Sequence, residues 1–240
     1  MYIYGRNPVI EALKAGKNIA KVFIRFGTQG GAVQQVKRLA RDAGVPVTQM
    51  DKQKFDRLGN TKDAQGIVAL VEEFTPLSLE ELIAHTREQD PPFFLAVDNV
   101  TDPRNLGAIL RSAECAGVHG VVLPQRDSSP ITDTVVKTSA GATSHLRIAR
   151  VGNLHQALGQ MKEAGIWVAG LDADGETDML AFDGFRPICL VVGSEGKGLR
   201  PVIRKSCEML VRIPMWGKVD SLNASVAAAL VLYEVRRKRM

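Results

Sequence analysis

Five short runs constrain the fold of this chain more than any other feature: "FFLAV" (93–97), "GVVLP" (120–124), "IWVAG" (166–170), "ICLVVG" (188–193) and "MLVRIP" (209–214). They are mostly apolar and lack strict alternation, which suggests strands covered on both faces. Helix-like segments lie between several of them, so the expected architecture is α/β: a mainly parallel sheet with helices on either side. No internal repeat or low-complexity tract interrupts the pattern.

Residues 1–74 read differently. "NPVIEALKAG" has the spacing of a short helix, "AKVFIRF" of a strand, and "AVQQVKRLARDAG" of an amphipathic helix closed by Gly44. "VPVTQM" and "GIVALVEEF" supply further strands. A small α/β domain is expected here, followed by a linker over 75–92 that carries a short amphipathic helix and ends at Pro91 and Pro92. The second domain then spans 93–240.

Charge separates the two parts. Residues 1–74 hold 12 Lys/Arg against 7 Asp/Glu, and residues 75–240 hold 19 of each, so the whole net charge of +5 lies in the first part. A cationic module suits a polyanion, because neutralising phosphates releases counterions; a well-solvated surface explains the same balance. At 45% hydrophobic and 24% charged the chain has the composition of a soluble globular protein. It has no apolar run of membrane-spanning length and no signal-peptide pattern at its start. A cytoplasmic protein with no membrane partner is expected. Cys115, Cys189 and Cys207 are widely spaced, with no CxxC and no histidine at ligand spacing, which points to reduced core thiols and to no metal site.

In parallel sheets ligands collect beyond the carboxyl ends of the strands, and there the sequence is least generic. "FFLAV" is followed by "DNVTDPRNLG", "ICLVV" by "GSEGKGL" and "MLVRIP" by "MWGKVDSLNAS". In the first, Asp102 before Pro103 reads as an N-cap with proline at the first helical position. Arg104, Gly107 and Arg111 share a stripe at i, i+3 and i+7, where a glycine between two cations leaves room for a ligand to approach the backbone. Solvated arginines are the plain alternative. The glycines of the second turn, at 193, 196 and 198, have neither the phosphate-loop nor the dinucleotide spacing. They expose backbone around one carboxylate, Glu195. In the third turn Ser221, Asn223 and Ser225 either cap the alanine-rich helix that follows or belong to a site.

Together "NVTDPRNLGAILRSAECAGV", "LVVGSEGKGL" and "IPMWGKVDSLNASVAAAL" resemble the three signature motifs of the SpoU/TrmH family of RNA ribose 2′-O-methyltransferases, in the SPOUT superfamily. The resemblance covers residues 93–238. The opening "YGRNPVIEAL" and "QGIVALVEEF" resemble the L30e-like RNA substrate-binding domain found in members that methylate a guanosine of 23S ribosomal RNA.

The resemblance implies S-adenosylmethionine as donor without a metal, a trefoil knot, a homodimer and structured RNA as partner, with ribosomal RNA first and transfer RNA second. It places Gly193, Ile213 and Leu222 on the donor through their backbone, with Thr138, Ser139, Ala140, Gly141, Gly170, Glu195, Gly196, Met215 and Ser225 nearby. It assigns activation of the ribose hydroxyl to Arg111; because a guanidinium is normally locked in its charged form, stabilising the incipient alkoxide and holding an adjacent phosphate is the expected role, with action as a base the alternative. Asn105, Glu195, Ser221 and Asn223 would orient the reacting groups. A fold kept for RNA binding or ribosome assembly without catalysis, and a nucleotide-dependent enzyme, are the other classes weighed.

Overall fold

The computed structural model describes residues 2–59, 61, 64–71, 75–86, 91–219 and 221–240, Asp133 by its backbone alone. Residues 72–74 of the last strand expected in the first domain, residues 87–90 of the expected linker and Asp220 of the third turn lie outside the described residues. The chain divides into two compact units, Met1–Phe74 and Thr75–Met240.

The first unit contains strands β1 (Tyr2–Tyr4), β2 (Ile19–Arg25), β3 (Val47–Met50) and β4 (Ile67–Val71) and helices α1 (Arg6–Lys14), α2 (Gly31–Asp42) and α3 (Lys52–Asp56). Its sheet has the order β1-β4-β2-β3. Strand β4 runs antiparallel to both neighbours and β2 parallel to β3. Alternate residues of one strand point to opposite faces. Ile67 and Ala69 therefore join Val9 and Leu13 of α1 and Val33 and Val36 of α2 in one cluster, while Val68 packs with Phe55 of α3 in another. The outward side of α2 keeps Lys37, Arg38 and Arg41 in solvent.

The second unit holds α4 (Leu79–Thr86), β5 (Phe93–Val97), α5 (Pro103–Cys115), β6 (Gly120–Pro124), α6 (Asp133–Thr138), β7 (Ile148–Val151), α7 (Leu154–Glu163) and β8 (Trp167–Leu171). It continues through β9 (Thr177–Asp178), β10 (Ile188–Val192), α8 (Pro201–Ser206), β11 (Met209–Arg212) and α9 (Ala224–Lys238). All seven strands are parallel, in the order β7-β6-β5-β10-β8-β11-β9. The chain lays β6 and β7 to one side of β5 and β10 and β8 to the other. The strand order therefore reverses between β5 and β10, and a crevice opens beyond their carboxyl ends.

Two local features tie the unit together. Residues 77–86, expected as part of a linker, dock on the second unit: Leu77 bridges to Ala149, and Leu79 and Leu82 are buried in its core. Gly120 makes room for them, because a Cβ there would lie 2.9 Å from both Leu82 Cδ1 and Phe94 Cδ1. The connection from β8 to β9 crosses over a later strand. Leu171 and Thr177 pair with the same residue, Val211, from opposite sides. Residues 172–176 thus span β11, and a Cβ on Gly175 would come within 2.8 Å of the Leu210 carbonyl oxygen and the Arg212 nitrogen. A strand made later is held under a loop made earlier. Ordinary chain topology avoids such threading, and the trefoil knot implied by the resemblance requires it.

Helix α9 packs along α5, and its last turn is fastened by cations. Arg236 donates to the carbonyls of Ala116 and Gly117 at 2.7 and 2.8 Å, occupying acceptors left over at the end of α5.

Candidate active site

The crevice between β5 and β10 is closed by three side chains, one from each of the sequence's three turns. Asp102 accepts a hydrogen bond from the Arg104 nitrogen at 2.7 Å, with Pro103 at the first helical position, and so starts α5 with Asn105 in its first turn. Asn105 Nδ2 donates to Glu195 Oε2 at 3.3 Å. Asn223 Nδ2 donates to Glu195 Oε2 at 3.0 Å and to Asn105 Oδ1 at 3.1 Å. The other side of the same amide caps α9: Asn223 Oδ1 accepts from the Ser225 nitrogen at 2.9 Å and from Ser225 Oγ at 2.6 Å. Asn223 thus both caps α9 and joins this polar cluster. The helix donor fixes Oδ1 inward and turns the amide nitrogen toward the carboxylate.

A cavity of about 410 Å³ lies beside this cluster. Leu171, Val192, Ile213, Met215, Leu222 and Ala227 give it apolar walls, and the turn 193–199 gives it exposed backbone. Gly193 is required by close approach, since a Cβ there would fall 2.3 Å from the Gly198 carbonyl. Gly196 and Gly198 have φ of 76° and 62°, the left-handed region that favours glycine. Carboxylates at Asp172, Asp174 and Glu195 border the same space. Apolar walls for a flat ring, open backbone groups for its polar edge and carboxylates for positive charge together fit a cationic nucleoside such as S-adenosylmethionine.

The turn is anchored from below by a buried ion pair. Asp98, fully buried at the end of β5, accepts from the Arg200 nitrogen at 2.8 Å and from Arg200 Nε at 2.7 Å, and lies 2.7 Å from Nη2. One carboxylate so satisfied fixes where the glycine turn rejoins the fold. Arg204 Nε donates to Asp172 Oδ2 at 2.7 Å on another side of the cavity. Sequence reasoning missed Asp98, Asp172, Asp174, Arg200 and Arg204. A usable signal was present for three of them: Asp98 directly follows an apolar strand, and "LDADGE", which holds Asp172 and Asp174, follows "IWVAG" at another strand's carboxyl end.

Of the expected donor residues, Gly193, Glu195, Gly196, Ile213, Met215 and Leu222 line the cavity, as does Ser221. Ser225 is two hydrogen bonds from the wall, through Asn223 to Glu195. Gly170 is packed behind the wall, where a Cβ would lie 2.6 Å from Leu199 Cδ1 and 2.7 Å from Cys207 Sγ. Thr138, Ser139, Ala140 and Gly141 are not on the wall; they follow and end α6, which packs against α5. The space beside Gly107 is not a ligand approach. A Cβ there would be 2.7 Å from Thr138 Cβ and 3.0 Å from the Val135 carbonyl, so the glycine lets α6 pack tightly. Arg111 is exposed on α5, off the cavity wall, and makes no hydrogen bond or ion pair among the described residues.

The cysteines divide. Cys189 and Cys207 are held as thiols by burial, which pushes Cys207 up to about 12. Cys115, expected in the core, is exposed on α5 instead. Among the described residues no group of His, Cys, Asp and Glu could hold a metal, and no helix is long and apolar enough to cross a membrane.

Comparison with known proteins agrees with this geometry. The SpoU rRNA Methylase family matches residues 92–233, and the family described as RNA 2′-O ribose methyltransferase substrate binding matches residues 2–77. The chain belongs to the SpoU rRNA methylase family of S-adenosylmethionine-dependent RNA methyltransferases. The YacO protein of Bacillus subtilis, named as a TrmH family tRNA/rRNA methyltransferase, is 44% identical over 239 residues, 99% of this chain and 96% of its own length. A tRNA/rRNA methyltransferase of Mycolicibacterium vanbaalenii is 42% identical, covering 99% of this chain and 76% of its own. Among solved structures, the SpoU methyltransferase AviRb of Streptomyces viridochromogenes with AdoMet superposes with a TM-score of 0.66 at 27% identity, over 100% of this chain and 90% of that one. An AdoMet-bound rRNA methyltransferase of Sinorhizobium meliloti gives 0.65 at 27% identity, over 100% and 87%.

Proposed function

We propose that this chain methylates the 2′-hydroxyl of a guanosine ribose in 23S ribosomal RNA, as a homodimer, with residues 1–74 capturing the RNA and residues 93–240 carrying the chemistry. The observation that carries the reading is the contact of Asn105, Glu195 and Asn223, from three distant turns, at the edge of the cavity. The walls at Gly193, Ile213, Met215 and Leu222 would hold S-adenosylmethionine, which would supply an electrophilic methyl group on a positively charged sulfur.

The chain's own task is to make a ribose oxygen reactive. A hydroxyl is a poor nucleophile; its conversion to a methyl ether leaves a neutral thioether and releases one proton to water, so the site must favour that loss and stabilise the charge that develops. Guanidinium groups keep their proton in proteins, so Arg111 acts as an electrostatic partner for the oxygen and an adjacent phosphate. Without a hydrogen-bond or ion-pair partner among the described residues, its donors are available to RNA. Glu195, steadied by two amides, and Ser221 on the cavity wall orient the incoming sugar.

The dimer is supported by α9, which exposes Val226, Leu230 and Tyr233 at helical spacing, 46%, 42% and 51% accessible. Such a stripe suits a second copy. The cations of α2 support RNA capture by the first unit.

Incubation with methyl-labelled donor and either ribosomal or transfer RNA, followed by mapping of ribose methylation, tests the reading. Label at a guanosine of 23S RNA is expected. Label confined to transfer RNA would replace the substrate, and donor binding without labelling of either RNA would leave only an RNA-binding protein.

A further inference from the structure

We infer that Trp216 is a stacking platform for a base of the RNA substrate at the mouth of the cavity, an inference that rests on the reading of this site as an RNA methyltransferase. The indole is 87% exposed. Its neighbours Met215 and Val219 are 41% and 69% exposed, so the loop between β11 and α9 presents apolar surface that the fold leaves uncovered. A tryptophan normally contributes by burying its large ring, and here the ring is turned away from the core.

The loop is held at both ends. Met215 on one side and Ser221 and Leu222 on the other are on the cavity wall, and Asn223 is fixed by the amide and carboxylate cluster. The indole therefore projects from a short span beside the place where the reacting ribose must come. The cavity has the size of a single small-ligand site. Occupied by the donor, it leaves the base of the target nucleotide, or its neighbour, outside at the rim.

Charge indicates which partner meets the ring. From Arg212 to Val219 the charged side chains are Arg212 and Lys218, both exposed, and Lys197 stands exposed on the glycine turn that also borders the cavity. Asp172, Asp174 and Glu195 border the cavity itself, where the cationic donor would sit. An exposed aromatic face with Lys218 two positions along the same loop suits a nucleobase flanked by phosphates, because every base offers a π face and stacking tolerates sequence. The apolar stripe of α9 lies on a different element, so the second copy has its own face and does not require the indole.

The chain has two tryptophans. The other, Trp167, lies in β8 with the Arg186 guanidinium 3.8 Å over its ring. A Trp167→Phe background leaves Trp216 as the single indole reporter. Its emission is expected to be quenched on titration with 23S ribosomal RNA. In steady-state assays Trp216→Ala and Trp216→Leu should both lower kcat/KM for RNA about tenfold, the size of one lost base–aromatic stack. Trp216→Phe should stay within about twofold. Donor affinity by calorimetry and sedimentation behaviour should not change in any of them.

Full activity of Trp216→Leu would overturn the platform, since leucine keeps apolar bulk and loses the π face. Emission that follows protein concentration and ignores RNA, with dissociation of Trp216→Ala, would assign the ring to a second copy. Quenching by RNA in a protein without turnover would keep the platform and remove the methyltransferase reading, so the two failures are distinguishable.

Discussion

In the second unit β5, β6 and β10 are buried at all five positions of each strand, whereas β2 of the first unit alternates between buried and partly exposed residues. The difference sets what each unit has to offer. A sheet covered on both faces leaves only its strand ends to solvent, and there this chain gathers Asn105, Glu195, Asn223 and the cavity. The first unit builds a smaller core and leaves the cations of α2 outside it. On the proposed function, chemistry and capture are separated by how the strands are buried, one at the end of a closed sheet and one on the surface of a helix.

The largest test of this division is Arg111→Ala. Turnover is expected to fall by about 10²- to 10³-fold, the cost of losing one charge-stabilising donor, while calorimetry shows unchanged donor affinity. Normal turnover would remove Arg111 from the mechanism and leave the polar cluster alone in the site.

Next in size is the asymmetry of the buried ion pair. Arg200→Met leaves the buried Asp98 with the backbone nitrogen of residue 200 but without its guanidinium, and should cost about 3 kcal/mol in urea unfolding. Asp98→Ala should cost less, about 1–2 kcal/mol, because Arg200 is already 35% exposed and can turn to water. Equal losses would mean that the pair serves packing more than it fixes the turn. Both variants should also weaken donor binding, because the same pair anchors residues 193–200.

Replacing Lys37, Arg38 and Arg41 together by alanine addresses the first unit. RNA affinity should drop about tenfold, and the slope of log affinity against log salt should fall by about 2, with donor affinity unchanged. An unchanged slope would move RNA capture off α2.

The smallest effect concerns pH. Burial, followed by the nearby Arg236, Arg239 and Arg147, lowers the pKa of His119, and its Nδ1 accepts from the Phe93 nitrogen at 3.1 Å. The unfolded chain then binds the proton more readily than the folded one, so stability present above the ordinary histidine range is lost as pH falls through it. Thermal unfolding should show a small drop in Tm between pH 7.5 and 5.5, reduced in His119→Gln. A rise in Tm on acidification would contradict the assigned neutral imidazole.

The parts of the molecule that follow local rules were legible early. Uniform apolar runs announced the parallel sheet, and Asp102 with Pro103 announced the start of α5. Asn223 was readable both as a cap and as a site residue. Other positions were misread for want of a neighbour. Gly107 between two arginines suggested room for a ligand, yet α6 fills that room. Cys115 looked like a core thiol, yet its face of α5 is in solvent.

The sequence by itself determined strand type, helix starts and the polar turns at strand ends, because these depend on residue periodicity and on backbone groups a few positions apart. The tertiary structure alone decided that β11 lies beneath the loop at 172–176, that Asp98 meets Arg200, and that one amide joins three turns. Such contacts bring together residues as much as 118 positions apart, and only the order of strands in the folded sheet sets which of them meet.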